Sequence, residues 1–312
     1  MSFSQDCKTE LAQLASDREN EMLAELEAFL RLSSEIILRN SKFIISFESP
    51  NAIVSKRYLS FIKKIYHAEV SVLTHQVKKL NLGVHYIVYV DTYSDVIIQD
   101  LNLLNESMNH DEIEAYEDTK KAYLRGSFLA KGSVNDPKNG DYHLEISTTN
   151  QEEAIYIQHL MISYELNAKI VKRRNDFVIY LKDIEEISDF LRVIGATKTV
   201  FEIDNLVIKR EYAANIQRQM NAEIANQMKT LSAAQKQIKY IHTIEYNYSL
   251  DKIDPKILLI MKVRLENREA SFNELIEILN KRYGEKITKS GLNHRFIKIK
   301  ELAEAIEQKD KI

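Results

Sequence analysis

Residues 289–300 read KSGLNHRFIKIK, a run in which cationic and hydrogen-bonding side chains alternate with apolar ones at helical spacing. Burying Leu292, Phe296 and Ile299 turns Lys289, Ser290, Asn293, His294 or Arg295, and Ile297 outward, with Lys298 and Lys300 on the flanks. The chemistry open to such a face is recognition of nucleic acid. Asn pairs bidentately with adenine, Arg and Lys with guanine, and a helix N-terminus bearing Ser290 can receive a phosphate. A basic helix is also what an ordinary solvated face looks like, so the reading depends on the elements that carry it.

Those elements are well punctuated. Asp254-Pro255 is an N-cap followed by proline at the first helical position, opening a helix to about Glu266 with Ile257, Ile260, Met261 and Leu265 inward. Ser271 caps a second helix, and Glu274 three residues on completes a capping box before Leu275, Ile278 and Leu279. A polar connection through Tyr283-Gly284 leads to Thr288, which caps the third helix, with Leu292, Phe296, Ile299 and Ala303 as its buried stripe. Three short helices in this order suit a helix-turn-helix, in which the third enters the major groove and Ser271 stands near the backbone. Upstream, residues 209–244 lack Gly and Pro and read as a long helix, polar on more than one face, that bridges domains or lies on a partner.

Bulk composition narrows the rest. The 312 residues are enough for two cores, and 45% hydrophobic with 29% charged residues is ordinary for a soluble globular chain. The single cysteine, Cys7, excludes an intrachain disulfide and any cysteine-based metal site. No apolar run reaches the roughly 18 residues of a membrane span, and the opening MSFSQD lacks a signal-peptide layout, so a cytoplasmic, nucleoid-associated location is expected. The net charge of -3 is unevenly placed. Residues 205–312 carry roughly +6 and residues 1–204 roughly -9, which assigns polyanion binding to the C-terminal part. His67, His75 and His159 show no metal-ligand spacing and read as packed or surface residues; no glycine loop cradles a phosphate, and no cofactor is expected.

The N-terminal two-thirds reads as a duplication. Residues 1–39 look helical, with Ala24 and Ala28 on a stripe of small residues; residues 122–131 repeat the stripe with Ala122, Gly126 and Ala130. Gly132 reads as the helix stop, opening a polar loop before a strand at 142–147. Helices opened by asparagine follow at 51–67 and 150–166, strands at 43–47, 86–90 and 177–181, and short amphipathic helices at 95–104 and 186–195. An acidic span, 105–118, with Glu106, Asp111, Glu112, Glu114, Glu117 and Asp118, reads as a solvated connector.

The strings KSGLNHR (289–295), RLENREASFNELIEIL (264–279), RQMNAEIANQMKTLSAAQKQI (218–238), SFSQDCKTEL (2–11) and YLRGSFLAKGSVNDP (123–137) resemble the WhiA family of bacterial proteins, over essentially the whole chain. The resemblance implies an α+β chain: a duplicated LAGLIDADG-like αββαββα domain at 1–204 (repeats about 20–104 and 119–200), a helical linker at 205–248, and an all-α helix-turn-helix domain at 249–312. It also implies a link to sporulation, cell division and chromosome segregation. In LAGLIDADG endonucleases an acidic residue just before each closing glycine holds the divalent metal for strand cleavage. The matching positions here are Ser33 and Lys131, a feeble ligand and a cation, with Glu35 and Asp136 out of register. Two departures from the family pattern stand out: Ala222 where a cysteine is common, and a longer connection at 280–287. The expected function is a non-enzymatic regulator that binds double-stranded DNA, free of membrane, through residues 249–312. Its rivals are a metal-dependent endonuclease and an adaptor whose N-terminal domain recruits a protein partner.

Overall fold

The computed structural model describes residues 2–76, 84–104 and 110–309; residues 105–109 of the acidic span lie outside the described residues. They form two compact units, one ending at Lys209 and the other starting at Arg210. The first unit opens with α1 (Phe3–Ala12) and continues as α2 (Glu19–Ser33), β1 (Ser34–Arg39), β2 (Lys42–Ser49), α3 (Ala52–Tyr66), β3 (Val70–Gln76), β4 (Val84–Val90) and α4 (Ser94–Asp100). After the short α5 (Asp111–Glu114) the pattern recurs as α6 (Glu117–Lys131), β5 (Gly132–Val134), β6 (Leu144–Thr148), α7 (Gln151–Ser163), β7 (Lys169–Arg173), β8 (Asp176–Leu181) and α8 (Ile184–Ile194). Each copy is αββαββα and folds its strands into an antiparallel sheet of the same order, β1-β2-β4-β3 and β5-β6-β8-β7. The same local device starts the second helix of each copy. Asn51 Oδ1 accepts from the Ile53 and Val54 amides, and Asn150 Oδ1 from those of Glu152 and Glu153.

Three boundaries differ from the sequence reading. Residues 34–39 are strand rather than helix, because α2 passes into β1 with no intervening residue and Ser34 through Arg39 pair with Phe47 through Lys42. Gly132 begins β5 instead of opening a loop; its φ of -77° is ordinary. What demands glycine there is space, since a Cβ would lie 2.3 Å from Phe128 Cδ2 and 2.6 Å from the Phe128 carbonyl oxygen. The long helix, α9 (Thr197–Asn247), starts a dozen residues before 209, and its first turns give Val200 and Ile203 to the first core.

At the centre of the first unit α2 crosses α6, and the small-residue stripes allow it. A Cβ on Gly126 would sit 2.3 Å from the Glu25 carbonyl oxygen and 3.0 Å from Ala28 Cβ, so the helix backbones touch where Gly126 lies. Beside this crossing is a buried ionic cluster. The fully buried Glu25 carboxylate accepts from Arg57 Nε at 2.6 Å, Arg57 Nη2 at 2.9 Å and Arg125 Nε at 2.8 Å, and from the Tyr58 hydroxyl at 3.3 Å. Arg57 Nη1 donates onward to the Leu14 carbonyl at 2.5 Å, and Arg125 Nη1 to the Ile194 carbonyl at 3.2 Å. Burial works against the charge on Arg57, but the hydrogen bonds and field of Glu25 outweigh it and hold that guanidinium above its ordinary pKa.

The second copy has a different polar anchor. Tyr123, on α6, donates to buried Glu153 on α7 at 2.8 Å. Burial raises the Glu153 carboxyl to about 7, against the opposing hydrogen bond from Tyr123. Cys7, also fully buried, is pushed up to about 12 by desolvation and is an inert packing residue.

In the second unit, α9 side chains from Arg210 to Lys229 are exposed on every face; Ala234 is then buried, and Ile241 and Ile244 enter a second core. The other contributors are α10 (Pro255–Glu266), α11 (Phe272–Tyr283) and α12 (Lys289–Lys309), which supply Ile260, Met261, Val263, Leu275, Leu279, Leu292, Phe296, Ile299 and Ala303. Each start follows the sequence reading. Asp254 Oδ1 accepts from Lys256 N with Pro255 at N1, Ser271 and Glu274 form the reciprocal capping box, and Thr288 Oγ1 accepts from Gly291 N. Gly284 closes α11 at φ +67°.

Two outcomes follow from these anchors. Glu25→Gln leaves two buried guanidinium groups without a full counter-charge, and chemical denaturation should find about 3–5 kcal/mol less stability; an unchanged midpoint would show the cluster to be dispensable. Because the folded-state pKa of Glu153 is raised, its protonated form favours the fold: that contribution is complete below about 4.5 and is lost as pH rises through about 7. Stability measured across this window should fall in the wild type, and Glu153→Gln should flatten the profile and be the more stable protein above it.

Candidate nucleic-acid interface

The trihelical core of the second unit fixes which faces of α12 are free. With Leu292, Phe296 and Ile299 inward, Lys289, Ser290, Asn293, His294, Ile297, Lys298 and Lys300 are all exposed. Arg295 is the exception. Its side chain is only 23% exposed, and Nη1 lies 3.8 Å from the Glu285 carboxylate in the connection between α11 and α12. Asn293 and Arg295 leave the helix about 200° apart, so the two residues paired in the sequence reading occupy opposite flanks. Asn293 instead shares a wall with Lys289 and Ser271. Lys300 is tethered to Glu304 at 3.7 Å, whereas Lys298 is exposed on the outer side.

Ser271 is committed on its amide, its carbonyl and its hydroxyl oxygen. Its amide donates to the Glu274 carboxylate at 2.6 Å and its hydroxyl oxygen accepts from Glu274 N at 3.4 Å, leaving the hydroxyl proton for a phosphate. At the start of α12 Thr288 takes only the Gly291 amide, so the first-turn amides of Lys289 and Ser290 stay available beside the positive end of the helix. The face therefore offers an amide able to pair with a base edge, several lysines for the backbone, and unsatisfied N–H groups for a phosphate oxygen.

Sequence reasoning missed Arg264 on α10. It is 1% exposed and belongs to the wall shared by Lys289 and Asn293. An arginine in the last turn of a helix ordinarily reads as a surface cation answering the dipole, and nothing in the local pattern distinguishes this one.

The nuclease-like positions lie in the first unit. Ser33 ends α2 and spends its hydroxyl on the Phe29 carbonyl at 2.5 Å; Lys131 ends α6 and is exposed. Lys8 stands beside it, Nζ donating to the Leu129 carbonyl at 3.1 Å, and burial together with the field of Lys131 lowers its ammonium to about 8 despite the thiol of Cys7. Two lysines thus lie close together at the end of α6. Among the described residues, no group of three or more His, Cys, Asp or Glu is placed to hold a metal ion. His67 and His75 are exposed, as is His159, 3.8 Å from Glu114. No helix of the described residues is long and apolar enough to cross a membrane.

Comparison with known proteins covers all three segments. The model of the WhiA N-terminal LAGLIDADG-like domain matches residues 19–104, that of the WhiA LAGLIDADG-like domain residues 120–213, and that of the WhiA C-terminal HTH domain residues 216–303. A relative from Staphylococcus saprophyticus described as "Probable cell division protein WhiA" is 36% identical over 316 residues, spanning 100% of this chain and 99% of the relative. The crystal structure of full-length DUF199/WhiA from Thermotoga maritima superposes with a TM-score of 0.62 at 26% identity, covering 98% of this chain and 99% of that one. The isolated N-terminal LAGLIDADG domain of DUF199/WhiA gives 0.52 at 25% identity, over 62% of this chain and 90% of its own.

The Arg295–Glu285 pair makes one prediction about this face. Removing the carboxylate frees the guanidinium and takes a repulsive charge away from any approaching phosphate. Glu285→Gln should tighten duplex binding about two- to fivefold at low salt, read by fluorescence anisotropy; weaker binding would mean that the pair positions Arg295 for contact.

Proposed function

This chain belongs to the WhiA family, and from that premise we propose that it is a DNA-binding transcriptional regulator of cell division and chromosome segregation, of the sporulation-regulator type, acting at the nucleoid. The observation that carries the reading is the exposed face of α12, where Lys289, Ser290, Asn293, His294 and Lys298 stand clear of a core that supports them rigidly. Asn293 reads base edges, Arg295 joins in from the opposite flank only when Glu285 releases it, Ser271 and Ser290 hold phosphates, and Lys289, Lys298 and Lys300 supply counter-charge along the backbone. On this reading residues 1–204 are the scaffold and 249–312 the reader, with 205–248 joining them and giving its last turns, through Ile241 and Ile244, to the reader's core.

The nuclease-like unit is, on this reading, a scaffold without catalysis. Two-metal hydrolysis needs carboxylates that gather cation charge at the scissile phosphate, and the corresponding helix ends carry Ser33, tied to Phe29, and Lys131, accompanied by Lys8. The negative balance of residues 1–204, roughly -9, favours a protein partner over duplex DNA on that unit.

Duplex binding by the full-length protein across a salt series tests the assignment. Asn293→Ala should cost about 1–3 kcal/mol on a preferred sequence and little on random duplex, whereas Lys298→Ala should weaken both alike and reduce the salt slope by about one. Equal losses for Asn293→Ala on every sequence would remove it from base reading. Supercoiled plasmid incubated with the protein and Mg²⁺ or Mn²⁺ should stay supercoiled; nicking abolished by a chelator would restore the enzyme reading.

A further inference from the structure

A cavity of about 490 Å³ opens within the second unit between α9, α10 and the first turns of α11 and α12. Three cationic residues, Lys229, Arg264 and Lys289, contribute to its wall, with Gln237, Ser271 and Asn293 among the polar lining and no carboxylate. Arg264 is the unusual member. At 1% exposure its guanidinium lies 5.6 Å over the Phe296 ring, and Nη1 donates to the carbonyls of Asn267 at 3.3 Å and Ala270 at 2.6 Å. Those contacts fix the side chain but bring no negative charge. Nε is buried without an acceptor, and among the described residues no carboxylate lies within 4 Å of the group. Desolvation lowers its pKa only to about 10, so the group keeps its proton at neutral pH. A buried cation with neither counter-ion nor a full set of acceptors is costly, and native folds ordinarily retain one only opposite an anion.

The rest of the wall suits the same anion. Gln237, which also lines the cavity, has its Oε1 buried without a partner. Ser271 retains a free hydroxyl proton, and the Asn293 amide is exposed. The start of α11 is not itself the attraction, because the Glu274 carboxylate already takes the Ser271 amide.

We propose that this cavity is a phosphate-binding site, in which the Arg264 guanidinium is the buried counter-charge, Lys229 and Lys289 close on the group from α9 and α12, and the Ser271 hydroxyl donates to its oxygens. The phosphate belongs either to a duplex backbone or to a small phosphorylated molecule. The first source rests on the DNA-binding reading above; the anion site does not.

Thermal unfolding of the full-length protein in inorganic phosphate, against chloride at equal ionic strength, is the test. Phosphate should raise the transition by a few degrees in a saturable manner. Arg264 also holds two carbonyls, so its replacement would disturb the fold, and the exposed lysines carry the comparison. The Lys229→Ala, Lys289→Ala double variant should bind phosphate about tenfold more weakly, while Lys281→Ala, an exposed lysine outside the cavity wall, should respond as the wild type does. No stabilisation beyond chloride, or an equal response in the double variant, overturns the site. Where phosphate stabilises, anisotropy at matched ionic strength identifies the source: competition with duplex assigns the cavity to the backbone, and its absence assigns it to a free phosphorylated ligand. A protein that binds duplex yet ignores phosphate keeps its proposed function and loses this site; the converse result separates them the other way.

Discussion

The first unit depends on how closely α2 and α6 approach. At Gly126 the backbones are in contact, and such a crossing tolerates no side chain between them. Helices packed so tightly have no room to adjust, so their rotation must be fixed by something directional. The Glu25 carboxylate supplies that: it holds Arg57 of its own copy and Arg125 of the other, and each arginine reaches on to a carbonyl at the end of a further segment, Leu14 or Ile194. A carboxylate satisfied by two guanidinium groups adds a directional constraint to that contact.

The two copies have kept their topology while dividing their chemistry. Their sheets have the same strand order and their second helices the same asparagine cap, yet Glu25–Arg57 anchors one copy and Tyr123–Glu153 the other. The ends of the central helices have diverged as well. A serine folded back on its own helix ends α2, and a lysine flanked by a second lysine ends α6. In the second unit the emphasis is reversed, for a small apolar core serves mainly to hold the α12 face and the wall containing Arg264.

Sequence legibility followed locality. Capping at Asn51, Asn150, Asp254, Ser271 and Thr288 was readable because each signal and its effect lie within three residues. The β1 strand was not, since SEIILR follows a helix without a breaker and its apolar residues suit either period. Nor was the Glu25 cluster, whose partners are 32 and 100 residues away in the chain. At the interface the outward face of α12 was legible from Leu292, Phe296 and Ile299, whereas the withdrawal of Arg295 needed Glu285 to arrive from the connection before the helix. Arg264 carried no local mark of burial at all.

The absence of any residue between α2 and β1, and between α6 and β5, constrains how this fold can change its length. In a strand, side chains alternate faces, so a single inserted or deleted residue at either junction would exchange the inward and outward sets of the whole strand. It would also carry Ser34 or Gly132 off its pairing with Phe47 or Ile146. A gap at either junction would therefore break the register, whereas a substitution there would not. A change in chain length is accommodated more easily in the turns between strands and in the segments joining the copies, where no register has to be kept.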